Sequence, residues 1–599
     1  MSVKLNFLLG VICLALIGCG SKNQSKRDKS TYTLDMVFNN PGEAETVSKY
    51  TNPKFVKSRG INGMVPQWFV NCAITYDNFQ ENIIPKDSDT RKWINEKAKV
   101  IDAKLATCEE AGMPVYAFTD VFMAPKEIWE KFGDAIGQEE KNHSVLGSEK
   151  TEVLRRPSIQ NPIVQDLMRA QIAGIFERFP TLDGLVIRFG ETYLHDTPYH
   201  LGGKPVRQGE GGVEDHVLLL NILRDEICVK RNKKLFYRTW DFGWLHTRPN
   251  VYLDITNQLE PHENLVFSIK HTKGDFLRNH AFNPTLGIGN HQQIVEVQCQ
   301  REYEGKGAHP NYVAKAVIDG FEEYEGRSGM QSLNDLKSNK NFKGVWTWSR
   351  GGGWKGPYIS NELWIDLNTY VMSQWSLDKS KSEEELFFEY AKMIGLSDKD
   401  AQTFRQISLL SAKGILRGHY STISGVHPTW IRDEFMGGLG FDANQKPTKE
   451  ASGKLNRNFY TIVEKGLTDA VINEKLEAVK IWEKIESLSK SITSGPIEIQ
   501  DYIKVSSTYG RIKYEIIAHG WTVMLKGVQG DVEQNYQTLV MEKSIDSYKH
   551  LWQEFQNHKV TNKQSATLYK PYDFDLNFES FHGENGMDKT VKYYENKIK

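Results

Sequence analysis

The stretch IVQDLMRAQIAGIFERFPTLDGLVIRFGE (Ile163–Glu191) decides the fold class. Its first half spaces apolar residues as an amphipathic helix does and stops at Pro180. Its second half, GLVIRF (Gly184–Phe189), is a nearly continuous apolar run. Strands buried on both faces read that way, because neither side of the pleat meets water.

Seven more runs of this kind precede residue 350. They are YTLDMVF (Tyr32–Phe38), INGMVP (Ile61–Pro66), VYAFTD (Val115–Asp120), KLFYRT (Lys234–Thr239), LVFSIK (Leu265–Lys270), IVEVQC (Ile294–Cys299) and GVWTWS (Gly344–Ser349). Helical patterns lie between many of them, as in Asp89–Gly112, with Gly112 placed as a C-terminal cap, and in Val213–Asn232. Strand–helix alternation repeated eight times predicts an α/β fold, a (β/α)8 TIM barrel. The alternative is an open doubly wound sheet. The sequence has no GxGxxG after a first strand, which weakens that alternative.

After about residue 360 amphipathic helical patterns follow one another to the C-terminus, with few strand signals. The expected division is a catalytic barrel over residues 31–375 and an α-helical C-terminal domain over 376–599. Residues 1–18 (MSVKLNFLLGVICLALIG) carry one early lysine and an apolar run too short to span a bilayer comfortably. They lead straight into Cys19, a pattern that resembles a bacterial lipoprotein signal peptide with Cys19 as the lipidated residue. The alternative is an ordinary cleaved signal. The polar residues 19–30 read as a tether, and the expected location is the bacterial cell envelope, on the periplasmic side or at the outer membrane.

Lysine and arginine number 75 and aspartate and glutamate 76, so no basic surplus points to nucleic acid. Fourteen tryptophans suit a protein that stacks on sugar rings, although a tryptophan-rich core gives the same number. Cys72, Cys108, Cys228 and Cys299 are widely separated, without zinc spacing, and read as buried thiols. Neither a metal nor a cofactor is expected.

Chemistry in this fold sits at the C-terminal ends of the strands. The residues just past the fourth to eighth runs are Arg188 and Glu191; Arg238, Trp240 and Asp241; Lys270, His271 and Asp275; Glu302; and Arg350. Carboxylates and cations therefore converge on one mouth. Glycoside cleavage needs such a set: one protonated acid for the leaving oxygen and one ionised carboxylate for water or for attack. The cations suit a sugar that carries its own carboxylate, held by charge-assisted hydrogen bonds. Each residue has a plainer reading too. Glu191 could be a surface or capping residue, Asp275 a turn cap, Arg238 and Lys270 ion-pair partners, and His271 a packing histidine.

The order of these motifs over about residues 31–400 resembles glycoside hydrolase family 67, the α-glucuronidases. SRGINGMVPQWFVN (Ser58–Asn71) is similar to the family's second-strand motif. LVFSIKHTKGDF followed by VEVQCQREYEG is the most specific part. The resemblance implies a barrel with a helical C-terminal domain and inverting, cofactor-free hydrolysis. It makes Glu191 the general acid, and Asp275 and Glu302 the carboxylates that position and deprotonate water, with Arg301 and Tyr303 helping to hold Glu302. Arg238 and Lys270 match cations that grip the uronate carboxylate, and Arg188 stands near the place of a family lysine. Two departures bear on the substrate: only a short tether precedes the first strand, and the loop Thr192–Gly203 differs. The expected activity is exo-release of a terminal uronic acid from an acidic oligosaccharide or polysaccharide. A hydrolase for another acidic sugar and a non-catalytic glycan-binding lipoprotein are the alternatives.

Overall fold

The structure is a computed structural model. It describes residues 31–599 except 38–47, 141–144, 147–153, 190–191, 194–196, 208, 242–243, 351–360, 426–435, 452–453 and 570–585. The candidate signal peptide, Cys19 and the general-acid candidate Glu191 therefore lie outside the described residues.

Eight parallel strands form the barrel: β1 (Tyr32–Val37), β2 (Gly63–Met64), β3 (Tyr116–Asp120), β4 (Gly184–Arg188), β5 (Lys234–Arg238), β6 (Leu265–Lys270), β7 (Gln292–Gln298) and β8 (Phe342–Ser349). Each overlaps one of the apolar runs. The hydrogen-bonded order is β2-β1-β8-β7-β6-β5-β4-β3. The ends of that ladder meet where Met64 N–H donates to Pro114 O (2.9 Å) and Phe118 N–H to Pro66 O (2.9 Å). These bonds bring the two ends of the eight-stranded sheet together and all but close the barrel.

Side chains alternate between the inside of the barrel and the surrounding helices. The inside is packed by residues such as Leu34, Phe118, Val186, Phe236, Val266 and Trp346. The same alternation, continued toward the strand ends, turns Asp120, Arg188, Arg238, Ser268, Lys270, Glu296 and Gln298 inward as well. The lower barrel is thus apolar and the mouth polar, and all of these polar residues are buried.

The strand–helix alternation fails at one step. Among the described residues no helix joins β6 to β7; turns fill Lys270 to Gln292. The segment GDFLRNHAFNPTLGIGN holds three glycines, a proline and three asparagines, residues that favour turns over helix interiors. Buried polar contacts anchor it: Asn283 Oδ1 accepts from Thr285 N–H (3.0 Å), and Thr285 Oγ1 donates to His246 O (3.1 Å).

The helix Leu363–Leu377 covers β8, and beyond it the long helices Asp398–Gly418, Thr468–Lys490, Ile497–Glu533 and Thr538–Thr561 pack against one another. Their centre is Trp482, stacked on Tyr514 at 4.7 Å. A methyl group on Gly414 or Gly510 would come within 2.8 Å or 2.5 Å of the indole, so glycine is what lets these helices close on it. Cys72, Cys108, Cys228 and Cys299 are free, buried thiols. Among the described residues, no helix is long and apolar enough to cross a membrane.

Candidate active site

The mouth is organised by ion pairs. At the end of β4, Arg188 lies over the Phe118 ring at 4.9 Å and forms a two-pronged pair with Asp120 of the neighbouring β3. Arg238 at the end of β5 donates from Nε and Nη2 to the two oxygens of Glu296, both at 2.9 Å. Ser268 Oγ donates to the same carboxylate at 2.9 Å. Trp346 and Trp348 lie 5.5 Å and 5.2 Å from the Arg238 guanidinium.

The third cation is arranged differently. The Lys270 ammonium sits 3.7 Å from the centre of the Trp240 ring and pairs with Asp275, five residues on. Lysine carries three donors. Among the described residues Asp275 is the one hydrogen-bond acceptor shown for it, although the lysine is only 2% exposed. Asp275 also accepts from the Tyr303 hydroxyl. Burial pushes its carboxyl up, but Lys270, Tyr303 and Arg238 outweigh that and hold it below the usual carboxylate range. Asp275 is therefore ionised near neutrality.

Glu302 leaves β7 through an unusual turn. Arg301 takes the left-handed conformation at φ 51°, and Gly305 follows at φ 101°. The one-turn helix Glu302–Glu304 between them sends its three side chains different ways. Tyr303 reaches Asp275, and Glu304 folds back onto the Arg301 guanidinium (2.8 Å and 2.5 Å). Glu302 itself is buried, and its backbone N–H donates to Gln298 Oε1 at 3.0 Å. Asp275 and Glu302 thus sit on two loops joined directly through Tyr303.

The structure brings Arg188, Arg238, Trp240, Lys270, Asp275 and Glu302 to the same end of the barrel. Arg238 and Arg188 are both committed to carboxylates of the chain. Asp241 accepts from the backbone N–H groups of Leu245 (2.8 Å) and His246 (3.2 Å), the work of a turn cap. His271 packs between Phe276 and Phe321, and burial pushes it down to about 3. Arg350 is buried one residue past the end of β8.

Three residues of the mouth escaped the sequence reading. Asp120 closes the third apolar run and Glu296 interrupts the seventh, both on the inward beat of the alternation. Gln298 is the next inward position after Glu296, and its Nε2 is buried with no hydrogen-bond partner among the described residues. A polar side chain inside or closing an apolar run, at period two from core residues, is the signal that would have found them.

No family model matches the chain, and no curated protein matches it. Among solved structures it is similar to a GH138 enzyme targeting pectin rhamnogalacturonan II, with a TM-score of 0.54 and 12% identity over 95% of this chain and 67% of that one. Partial likenesses include Dispersin B (TM-score 0.33, 12% identity, 57% of this chain and 97% of that one). Another is the GH20 exo-β-N-acetylglucosaminidase from Vibrio harveyi (TM-score 0.31, 10% identity, 59% and 56%). At such identities the likeness is one of fold, and it rests on the GH138 enzyme: the chain shares the overall architecture of a glycoside hydrolase, a barrel with helices following it.

Proposed function

We propose that this chain is an exo-acting glycoside hydrolase that releases a terminal uronic acid with inversion, in the manner of the α-glucuronidases. The observation that carries the substrate class is the Lys270 ammonium. Among the described residues its hydrogen-bond acceptor is Asp275, and an ammonium carries three donors, so it can take further acceptors from a bound sugar. A carboxylate on the sugar supplies the acceptors, and Trp240 beside it offers an aromatic face to the ring.

Asp275 is held ionised, as the group that accepts a proton from water must be. Glu302, tied to the same loop pair through Tyr303, orients that water. Glu191 is the general acid in this scheme, a role that the resemblance gives it. Inversion requires the acid and the base to lie roughly 6.5–9.5 Å apart, so that water fits between base and sugar. Cys19 is the lipid-bearing residue, anchoring the enzyme in a bacterial envelope. Recovery of full-length protein from cells in the soluble fraction would contradict the anchor.

A second reading, hydrolysis of a different acidic sugar, is favoured by Arg188. In the resembling family a lysine stands near this place, whereas here the cation is neutralised by Asp120. The pocket wall on that side therefore presents a paired charge to the substrate.

The test uses oligosaccharides that differ only in the terminal sugar: glucuronic acid, galacturonic acid, or the matching neutral hexose. The proposal expects cleavage of a uronic cap and none of the neutral one. Equal rates on both would remove the acidic specificity, and tight binding of every cap without release would leave a glycan-binding protein.

A further inference from the structure

We infer that Tyr420, in the helical C-terminal region, is a positioning residue for the loops that carry Asp275 and Glu302. The inference rests on the hydrolase reading above for its catalytic consequence, but not for its structural one. Residues 299–314, which include Glu302, are buried throughout, although they contain a strained turn and three glycines or lysines at positive φ: Gly305, Lys306 and Gly307. Non-glycine residues in the left-handed region, here Arg301 and Lys306, cost energy and persist where their surroundings over-determine them. Here the surroundings include Asn368 of the helix Leu363–Leu377, whose Oδ1 accepts from Val313 N–H (2.9 Å) and Ala314 N–H (3.1 Å), and the helix Asp398–Gly418 with the residues just past it.

That helix holds both loops. On the Glu302 side, the Glu304 carboxylate takes Arg301 and Asn311 Nδ2 (3.0 Å) from its own loop, and the Tyr420 hydroxyl (2.8 Å) from the helical region. Further along the same loop, Tyr312 N–H donates to Ser411 Oγ at 3.1 Å. On the Asp275 side, Arg278 donates to the Ala412 carbonyl and pairs with Glu323 at 2.7 Å. Tyr303 closes the figure between the two loops through Asp275.

Tyr420 is itself fixed. Its carbonyl and that of Arg417 (2.7 Å) both accept from the buried Lys475 ammonium of helix Thr468–Lys490. The tie therefore runs from the helical core through Tyr420 to Glu304, to the Arg301 turn and to Glu302. Removing the hydroxyl breaks this tie and leaves the buried Arg301–Glu304 pair intact.

The experiment is Tyr420→Phe in the full chain, which keeps the ring and removes the hydroxyl. Two readouts are taken: backbone amide exchange by peptide, and kcat and KM on a uronic-capped oligosaccharide. The expected result is about tenfold faster exchange within residues 299–312, with peptides of β4 and of helix Thr538–Thr561 unchanged. The kcat should fall about tenfold with KM within about twofold, the signature of an interaction made in the transition state. Unchanged exchange at 299–312 would overturn the inference. So would exchange accelerated evenly along the chain with a lowered Tm, because that is the mark of general packing. A wild-type chain that cleaves no cap would sink the hydrolase reading alone, since the exchange measurement still decides whether Tyr420 braces the loop.

Discussion

Asp275 and Lys270 form an ion pair, so a change to one is read out in the other. Replacing Lys270 with Gln removes the cation over Trp240 and the largest favourable charge beside Asp275. The KM for a uronic cap should rise about 10- to 100-fold, the worth of one or two hydrogen bonds to a charged group. Asp275 is held below the usual carboxylate range partly by Lys270, so its pKa should rise in the variant. The acid limb of the kcat/KM profile should then move to higher pH. A variant with unchanged KM and an unmoved acid limb would separate Lys270 from both roles. The Arg238–Glu296 pair makes a second residue-scale prediction. Both groups are buried, and removing one strands the other, at a cost of about 3–5 kcal/mol. Glu296→Ala should lower the urea midpoint far more than the double change Arg238→Met with Glu296→Leu, measured side by side. The sequence placed Lys270, Asp275 and Glu302 at one end of the barrel because they lie at the end of an apolar run or within five residues of it. Asp120 and Glu296 were not legible there, because what makes them part of the mouth is a partner on an adjacent or facing strand, and pairing across a barrel is written in register rather than in local pattern.

At the scale of elements, β1 and β8 meet over a buried acid. Asp35 accepts from Thr347 Oγ1 and Ser349 Oγ, both at 2.7 Å, and burial raises its pKa to about 7. The folded chain therefore holds this proton where the unfolded chain, with a value near the ordinary 3.8, has released it. Stability from this group is full below about pH 4, falls as pH rises toward 7, and stays lost above it. Asp35→Asn should flatten that part of the Tm-versus-pH curve; an unchanged slope would show that Asp35 is not the group responsible. The turn after β7 makes its own prediction. Gly307 has φ +72°, and a Cβ there would lie 2.5 Å from the Ile365 side chain. Gly307→Ala should destabilise by more than 1 kcal/mol and slow turnover through Glu302, checked by denaturation and by kcat together. The strands could be read because most of their residues are buried on both faces, which makes the runs nearly continuously apolar. The missing helix after β6 could not be anticipated from the alternation alone: its glycines, proline and asparagines were in view, but the buried Asn283 and Thr285 contacts that make a turn-rich crossover stable are tertiary.

The whole molecule divides the labour between a barrel that presents charge and helices that hold its loops still. The barrel was legible as eight recurrences of one pattern, and the helical region as sustained amphipathic spacing. Their joint role was not, since Tyr420 and Glu304 are far apart in sequence and neither carries a local signature of the other. Net charge near zero over the chain conceals the concentration of paired charge at one end of the barrel. The central claim is that this end cleaves a uronic cap by direct attack of water. The measurement that tests it most directly is time-resolved proton NMR of the products from an α-linked uronic-acid-capped oligosaccharide. The account predicts that free uronic acid appears first as the β-anomer and only later equilibrates. First appearance of the α-anomer would contradict inversion, and no free uronic acid from any cap would contradict the hydrolase itself.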